Sequence, residues 1–305
     1  MRLFRTISAL LFAVRLIASQ AAEVPLAMVS DPPKDTAHPP EMMPIALPTH
    51  GIKINAMLLT AAGAGLHPTL ILFHGLPGNE QNLDLARAIQ RAGWNVLTLH
   101  YRGSWGSRGH YTFTHCLEDG EAALNWLFDP ATAQRYAIDT SRIVVAGHSQ
   151  GGHLAGWLAG HEDRVTGAVL ISPGRSFGNL PSEISRDEVV KRMEESLEYS
   201  QGMSAIGDAT PEDLADELIR NNKAWDLTQF STELAKHPIL LITSNDPGAP
   251  VNDRLAAAVK VQPGAKIDVI HIATDHGYND SRIALTSTVL IWLDQQFPQR
   301  VIETK

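Results

Sequence analysis

The chain has a single cysteine, Cys116, among its 305 residues. An intramolecular disulfide is therefore excluded, and no pair of cysteines exists on which a zinc site could be built. Cys116 is best interpreted as a small core residue. Basic blocks are also absent, and the formal net charge of −8 disfavours nucleic acid as a partner.

Long apolar runs are missing too, so we expect no stable membrane insertion. A short apolar run, 7–14, follows the positive charges of Arg2 and Arg5 and precedes several small residues. This pattern is typical of a signal peptide, and we predict that 1–21 is removed by cleavage after Ala21. The protein would then be exported to the periplasm or secreted. The alternative is a frayed N-terminal helix.

Proline is concentrated near the N-terminus, with seven prolines between residues 23 and 48. A stretch this rich in proline is expected to contain no helix. We therefore expect 22–49 to be an extended, proline-rich leader that lies over one domain at 50–300.

Strand and helix patterns alternate along this domain. Residues 69–73 form a continuous apolar run, typical of a strand buried on both faces, and 142–146 is also a predicted strand. The other predicted strands are 52–60, 94–99, 168–171, 238–243 and 267–272, and the predicted helices are 81–92, 117–128, 150–159 and 281–296. This order predicts an α/β fold with a mostly parallel sheet and helices on both faces.

A segment of about sixty residues, 174–237, interrupts this alternation. Two helices are predicted inside it, and the second opens at Thr210 with a capping box and proline at its first position. We interpret the segment as a helical lid inserted over the sheet. Eleven acidic and four basic residues lie within 183–220. Their simplest interpretation is a solvated outer face, and recruitment of a cation is the alternative.

The strongest chemical signal is the sequence Gly-His-Ser-Gln-Gly at 147–151, which follows a buried strand and opens a helix. This layout is a nucleophile elbow, in which the turn is so tight that glycines must flank the serine. Ser149 would stand exposed at the carboxyl end of the sheet. Free N–H groups at the start of the helix could stabilise negative charge beside it.

A second signal, His-Gly-Leu-Pro-Gly at 74–78, directly follows an apolar strand. With these two motifs, residues 50–297 resemble the α/β-hydrolase superfamily, and in particular its dienelactone-hydrolase and prolyl-oligopeptidase-like branches. The resemblance implies that the backbone amides of Leu76 and Gln150 form an oxyanion hole. His74 is best interpreted as a structural residue of its turn.

The same resemblance implies an acid and a base that follow the serine in chain order. Asp246 comes after the strand at 238–243, and His276 comes after the strand at 267–272. Both positions are loops at the carboxyl ends of strands, where α/β sheets place their sites. The family often has a glycine shortly before the acid, whereas this chain has serine and asparagine there, so the turn at Asp246 departs from the pattern.

This set of residues implies a serine hydrolase that works through an acyl-enzyme and needs no metal or cofactor. A serine nucleophile argues against aspartate-nucleophile dehalogenases, epoxide hydrolases and cysteine-dependent dienelactone hydrolases. We favour a small carboxylic ester as substrate, because the several hundred additional residues of a propeller-bearing oligopeptidase are absent. The alternatives are a peptidase or aminoacyl-amide hydrolase, and a non-catalytic binding protein with the same fold. The sequence does not indicate an oligomeric state.

The loop at 101–109 resembles a turn found in many members of this superfamily. Arg102 is best interpreted as the structural partner of an acid. Trp105 and Tyr111 are candidates to line an acyl pocket.

Overall fold

A computed structural model describes residues 24–174, 177–199 and 205–298 of the chain. An eight-stranded sheet forms its centre, with the order β1-β2-β4-β3-β5-β6-β7-β8. The strands are β1 (Glu41–Thr49), β2 (Ile52–Thr60), β3 (His67–Phe73), β4 (Asn95–Leu99), β5 (Ile138–His148), β6 (Gly167–Ile171), β7 (Pro238–Thr243) and β8 (Lys266–His271). β2 runs antiparallel to both of its neighbours, and all other pairs are parallel. The predicted mostly parallel sheet is thus confirmed.

Helices cover both faces of this sheet. They are α1 (Leu26–Val29), α2 (Leu83–Arg91), α3 (Phe113–Phe128), α4 (Pro130–Arg135), α5 (Gln150–His161), α6 (Arg186–Tyr199), α7 (Pro211–Asn221), α8 (Ser231–Leu234), α9 (Ala249–Lys260) and α10 (Arg282–Gln296). Buried residues of α3, α5 and α9 belong to one hydrophobic core, and those of α2 and α10 belong to the other. None of the helices in the described ranges is long and apolar enough to cross a membrane.

The central strands are apolar throughout because they supply both cores at once. In β3, Leu70 and Leu72 face the core on the α2 side, whereas Ile71 and Phe73 face the α5 side. All four side chains are buried. Alternation of side chains along a strand therefore explains why these runs lack the polar positions of a half-exposed strand.

The N-terminal boundary of the domain differs from the prediction. Residues 41–49, expected to be part of the leader, form β1 and pair with β2 along their whole length. Pro44 and Pro48 are tolerated because β1 is an edge strand, where a missing N–H leaves no neighbouring strand unpaired. The expectation of no helix is also wrong for α1, a single turn at Leu26–Val29.

Several helix boundaries also differ from the predicted ones. α3 begins four residues earlier than predicted, at Phe113, because the side chain of Thr112 caps it by accepting a hydrogen bond from the His115 amide. α4 was not predicted. It begins after Asp129, whose carboxylate accepts a hydrogen bond from the amide of Thr132.

The inserted segment between β6 and β7 is helical, as predicted, and contributes α6, α7, a 3-10 helix at Leu227–Phe230, and α8. Thr210 caps α7 as its sequence predicts, since its hydroxyl accepts a hydrogen bond from the Asp213 amide at 3.1 Å. Glu217 is an exception to the solvated face expected of the acids here. It is buried, and its carboxylate accepts hydrogen bonds from the amides of Phe113 at 2.7 Å and Thr114 at 2.8 Å. The lid is thereby fastened to the first turn of α3.

Candidate active site

Ser149 lies at the tight turn between β5 and α5. Its backbone has φ +56° and ψ −122°, a strained conformation for any residue with a side chain. A Cβ atom at Gly147 would lie 2.2 Å from the backbone of Gly151, and one at Gly151 would lie 2.2 Å from the carbonyl oxygen of Phe73. The glycines on either side of Ser149 are therefore required by the approach of α5 to β3 and β5.

The backbone of Ser149 is fixed from both sides. Its amide donates a hydrogen bond to the carbonyl of Ile171 at 2.9 Å, which ties the turn to the end of β6. Its carbonyl accepts hydrogen bonds from the amides of His153 and Gly174, each at 3.0 Å. These bonds hold the strained turn in place.

Asp246 and His276 come together from the loops after β7 and β8. His276 Nδ1 and Asp246 Oδ2 are 2.8 Å apart, so the ring donates a hydrogen bond to the carboxylate when that nitrogen carries its proton. The carboxylate is 6% exposed and the imidazole 47%, so the acid lies inside and the base faces the cavity. Both residues and Ser149 line the same cavity.

The carboxylate of Asp246 is held by further donors. Ser244 Oγ donates to Oδ2 at 2.8 Å, and the amide of Gly248 donates to Oδ1 at 2.6 Å. Ser244 is hydrogen-bonded to Ser172, which contacts the hydroxyl of Tyr278 at 2.9 Å. We call Tyr278, Ser172 and Ser244 the hydroxyl relay, a buried chain of hydrogen bonds that ends on the acid.

These bonds determine the charge of the acid. Burial alone would raise the pKa of Asp246, but hydrogen bonds from His276 and Ser244 outweigh burial and hold that pKa well below its ordinary value. At the buried end of the relay, burial raises the pKa of Tyr278 to about 12. Asp246 is therefore ionised and Tyr278 is neutral at physiological pH.

His148, which precedes Ser149 in the elbow, contacts the loop that carries His276. Its Nε2 donates a hydrogen bond to the His276 carbonyl oxygen at 2.7 Å, and the two rings lie 4.7 Å apart. Burial lowers the pKa of His148 to about 3, so the ring is neutral. No sequence signal identifies this bond, which joins residues 128 positions apart.

Leu76 and Gln150 also line the cavity, so the two residues predicted to form an oxyanion hole lie beside Ser149. Gln150 is the first residue of α5, where a backbone N–H has no partner within the helix. A Cβ atom at Gly75 would lie 3.0 Å from Ser149 Cβ, which shows how closely the turn before Leu76 approaches the serine. The side chain of Gln150 accepts a hydrogen bond from Tyr111 at 2.8 Å.

The cavity has a volume of about 260 Å³. Its walls are largely apolar and include Leu76, Phe113, Phe177, Leu180, Val189 and Met193. Polar groups on the lid side are Arg192 and Ser196. A larger open groove of about 1320 Å³ lies between the β1–β2 turn and α3, but it contains none of the five predicted site residues.

Other polar residues singled out by sequence have structural roles. Arg102 pairs with the buried carboxylate of Asp119 at 2.7 Å, as expected of a structural ion pair. His74 is buried, and burial lowers its pKa to about 4. Trp105 donates a hydrogen bond to the Pro77 carbonyl at 2.7 Å, and neither it nor Tyr111 lines the cavity.

The described residues hold no cluster of histidine, cysteine and carboxylate side chains that could bind a metal ion.

Comparison with known proteins agrees with this architecture. Residues 68–295 match the model of the alpha/beta hydrolase fold family. Because that match covers most of the chain, the protein belongs to the α/β-hydrolase superfamily.

A curated relative matches part of the chain. The chain is 33% identical over 123 residues to the alpha/beta hydrolase domain-containing protein WAV2 of Arabidopsis thaliana, a match that covers 39% of this chain and 38% of the relative. The chain therefore matches well under half of that relative's length.

Among solved structures, an esterase from Pyrobaculum calidifontis superposes with a TM-score of 0.64 at 19% identity, covering 88% of both chains. The acylaminoacyl peptidase of Pyrococcus horikoshii superposes with a TM-score of 0.60 at 14% identity, covering 84% of this chain and 42% of the other. At these identities the likeness establishes the shared fold.

Proposed function

We propose that the protein is a serine hydrolase that cleaves a carboxylic ester, with Ser149 as nucleophile, His276 as base and Asp246 as the acid that orients it. The observation that carries the proposal is that Asp246 and His276 are hydrogen-bonded to each other and line the same cavity as Ser149, which lies in a strained turn. This arrangement matches what an acyl-enzyme mechanism requires.

In the first step, His276 Nε2 takes the proton of the Ser149 hydroxyl while the oxygen attacks the ester carbonyl. Asp246, ionised and buried, keeps the proton on Nδ1 and stabilises the imidazolium that forms. The amides of Leu76 and Gln150 donate to the developing oxyanion. His276 then protonates the leaving alcohol, and water repeats the sequence to release the carboxylic acid.

A fluorophosphonate probe tests the nucleophile directly, because it reacts covalently with an activated serine. We expect wild-type protein to be labelled and Ser149→Ala to be unlabelled. Ser196→Ala is the matched control, since Ser196 lines the same cavity and its loss should leave labelling intact. Labelling that survives in Ser149→Ala would contradict Ser149 as the nucleophile, and absence of labelling in wild-type protein would favour the non-catalytic alternative.

Cleavage of an amide is the second candidate, and it is supported by the fold shared with an acylaminoacyl peptidase. A panel of p-nitrophenyl esters and aminoacyl anilides separates the two. We expect the esters to have the higher kcat/KM, and faster cleavage of the anilides would reverse the assignment.

Export remains a proposal that rests on the sequence, because residues 1–21 lie outside the described residues. Mass spectrometry of the mature protein should find an N-terminus at Ala22. Retention of Met1 to Ala21 after expression in a secretion-competent host would contradict it.

A further inference from the structure

The lid helix α6 turns one face toward the cavity. Val189, Arg192, Met193 and Ser196 line it, and their spacing of three and four residues places them on one stripe of the helix. Val189 and Met193 are buried, whereas Arg192 is 46% exposed. Arg192 therefore occupies the boundary between the apolar interior of the cavity and solvent.

Arg192 brings positive charge to a cavity whose remaining lining is mostly apolar. The other ionisable side chains on the described part of the lining are Asp246 and His276, which are hydrogen-bonded to each other. Among the described residues, Arg192 has one partner, Glu188, which accepts from Nε at 3.1 Å. The remaining nitrogens of the guanidinium have no hydrogen-bond partner within the described ranges, and they can donate to an anion.

We propose that Arg192 selects esters that carry a carboxylate, with the apolar part of the substrate in the cavity and its carboxylate on the guanidinium. The proposal rests on the hydrolase function proposed above and names its substrate class. A guanidinium suits this role because its planar set of donors matches a carboxylate. Arg192 is the one lysine or arginine on the described lining, so a carboxylate in the cavity would have no other guanidinium or ammonium group there to bind.

Two pairs of substrates test the preference. Monomethyl adipate is compared with methyl hexanoate, which puts the charge on the acyl side. The acetate ester of ω-hydroxyhexanoate is compared with hexyl acetate, which puts it on the alcohol side. For each pair, the measured quantity is the ratio of kcat/KM for the charged ester to that for the neutral one, followed by acid release at constant pH.

We expect Arg192→Gln to lower this ratio roughly five- to tenfold for at least one pair, because a charge-assisted hydrogen bond is lost. Glu188→Gln should raise the ratio, since it frees the guanidinium. Lys191→Gln is the matched control: Lys191 is the adjacent cation on α6, is 66% exposed and does not line the cavity. Added salt should reduce the wild-type ratio and have little effect in Arg192→Gln. A ratio that Arg192→Gln leaves unchanged for both pairs would overturn the proposal.

Binding separates this proposal from the hydrolase function. Calorimetry with Ser149→Ala protein and the esters of both pairs requires no turnover, so it reports on Arg192 even if no ester is cleaved. We expect Arg192→Gln, added to Ser149→Ala, to weaken binding of the charged ester several-fold in at least one pair and to leave binding of its neutral counterpart less affected. Equal losses for charged and neutral esters in both pairs, or no loss for any ester, would contradict a carboxylate contact. Failed fluorophosphonate labelling would instead contradict the function of Ser149.

Discussion

At the scale of single residues, the orientation of His276 depends on a carboxylate that several hydroxyl groups hold in place. Ser244 donates to the same oxygen of Asp246 that accepts from His276. Ser244→Ala should therefore leave Asp246 ionised but less firmly positioned, and we expect kcat for an ester to fall by about tenfold. With one competing donor removed, the carboxylate stabilises the imidazolium better, so the acidic limb of the pH–rate profile should move to higher pH.

Tyr278→Phe tests whether the effect passes along the hydroxyl relay. It removes the hydroxyl that contacts Ser172 and that lies three hydrogen bonds from Asp246 along the relay, so kcat should change in the same direction but less. Ser182→Ala, at an exposed position outside the cavity, is the control. Equal pH–rate profiles for Ser244→Ala and wild type would show that the hydroxyls serve packing alone.

Another residue-scale requirement concerns the elbow glycines. In Gly151→Ala, the new methyl group would lie 2.2 Å from the carbonyl oxygen of Phe73, and the backbone there belongs to a buried strand that cannot move aside. We expect the free energy of unfolding to fall by more than about 3 kcal/mol, measured by urea denaturation. In the control Gly207→Ala, the nearest contact would be 3.4 Å, so stability should change little.

At the scale of elements, the attachment of the lid to the domain depends on Glu217. This carboxylate of α7 accepts from two amides in the first turn of α3, where a helix has unpaired N–H groups and favours negative charge. Glu217→Ala leaves the buried amide of Phe113 without this partner and removes the acceptor of the Thr114 amide. We expect it to cost about 1–3 kcal/mol of stability in urea denaturation and to loosen the cavity wall that Phe113 and Leu218 share.

The control for Glu217 is its neighbour on α7, Asp216, which is exposed and pairs with Arg186 on α6. An exposed ion pair contributes less than about 1 kcal/mol, so Asp216→Asn should have a small effect. If the two substitutions cost the same, the contact between Glu217 and α3 would not be what fastens the lid.

Element type was readable from the sequence wherever periodicity was strong. The apolar run of β3 and the capping box of α7 each led to the right structure. β1 was missed because its prolines outweighed a period-two pattern: Met43, Ile45 and Leu47 turn inward, while Pro44 and Pro48 face out. An edge strand tolerates proline on its free side, and sequence alone does not say which strand will be an edge.

For the candidate site, the sequence predicted the residues but not the contacts that position them. Motif and chain order singled out Ser149, Asp246 and His276. The fold brings these residues to one cavity because each follows the carboxyl end of a strand. The contacts that position these residues were not predictable. The relay joins Ser172 to Tyr278, and His148 bonds to the His276 backbone, across separations of 106 and 128 residues. Such contacts depend on how loops pack, and no local pattern encodes that.

At the scale of the whole molecule, neutral buried histidines make stability depend on pH. Burial lowers the pKa of His153 to about 3, of His148 to about 3 and of His74 to about 4. An unfolded histidine binds a proton below about pH 6.5, whereas these folded ones bind it only near their lowered pKa values. Between these limits the unfolded chain holds more protons, so the free energy of unfolding falls as pH falls.

The size of this effect can be measured at His153, whose ring stacks on Phe177 at 4.6 Å and whose Nε2 is buried without a hydrogen-bond partner among the described residues. His153→Phe preserves an aromatic ring and removes the titrating group. Each such histidine contributes about 1.4 kcal/mol per pH unit within its window. The loss of stability between about pH 6 and pH 5 should therefore be about 1 kcal/mol smaller in His153→Phe than in wild type, in urea denaturation at both pH values. His110→Gln, at an exposed position, should keep the wild-type dependence. If the stability of His153→Phe falls with pH as much as that of wild type, His153 must already be protonated in the folded protein over this pH range.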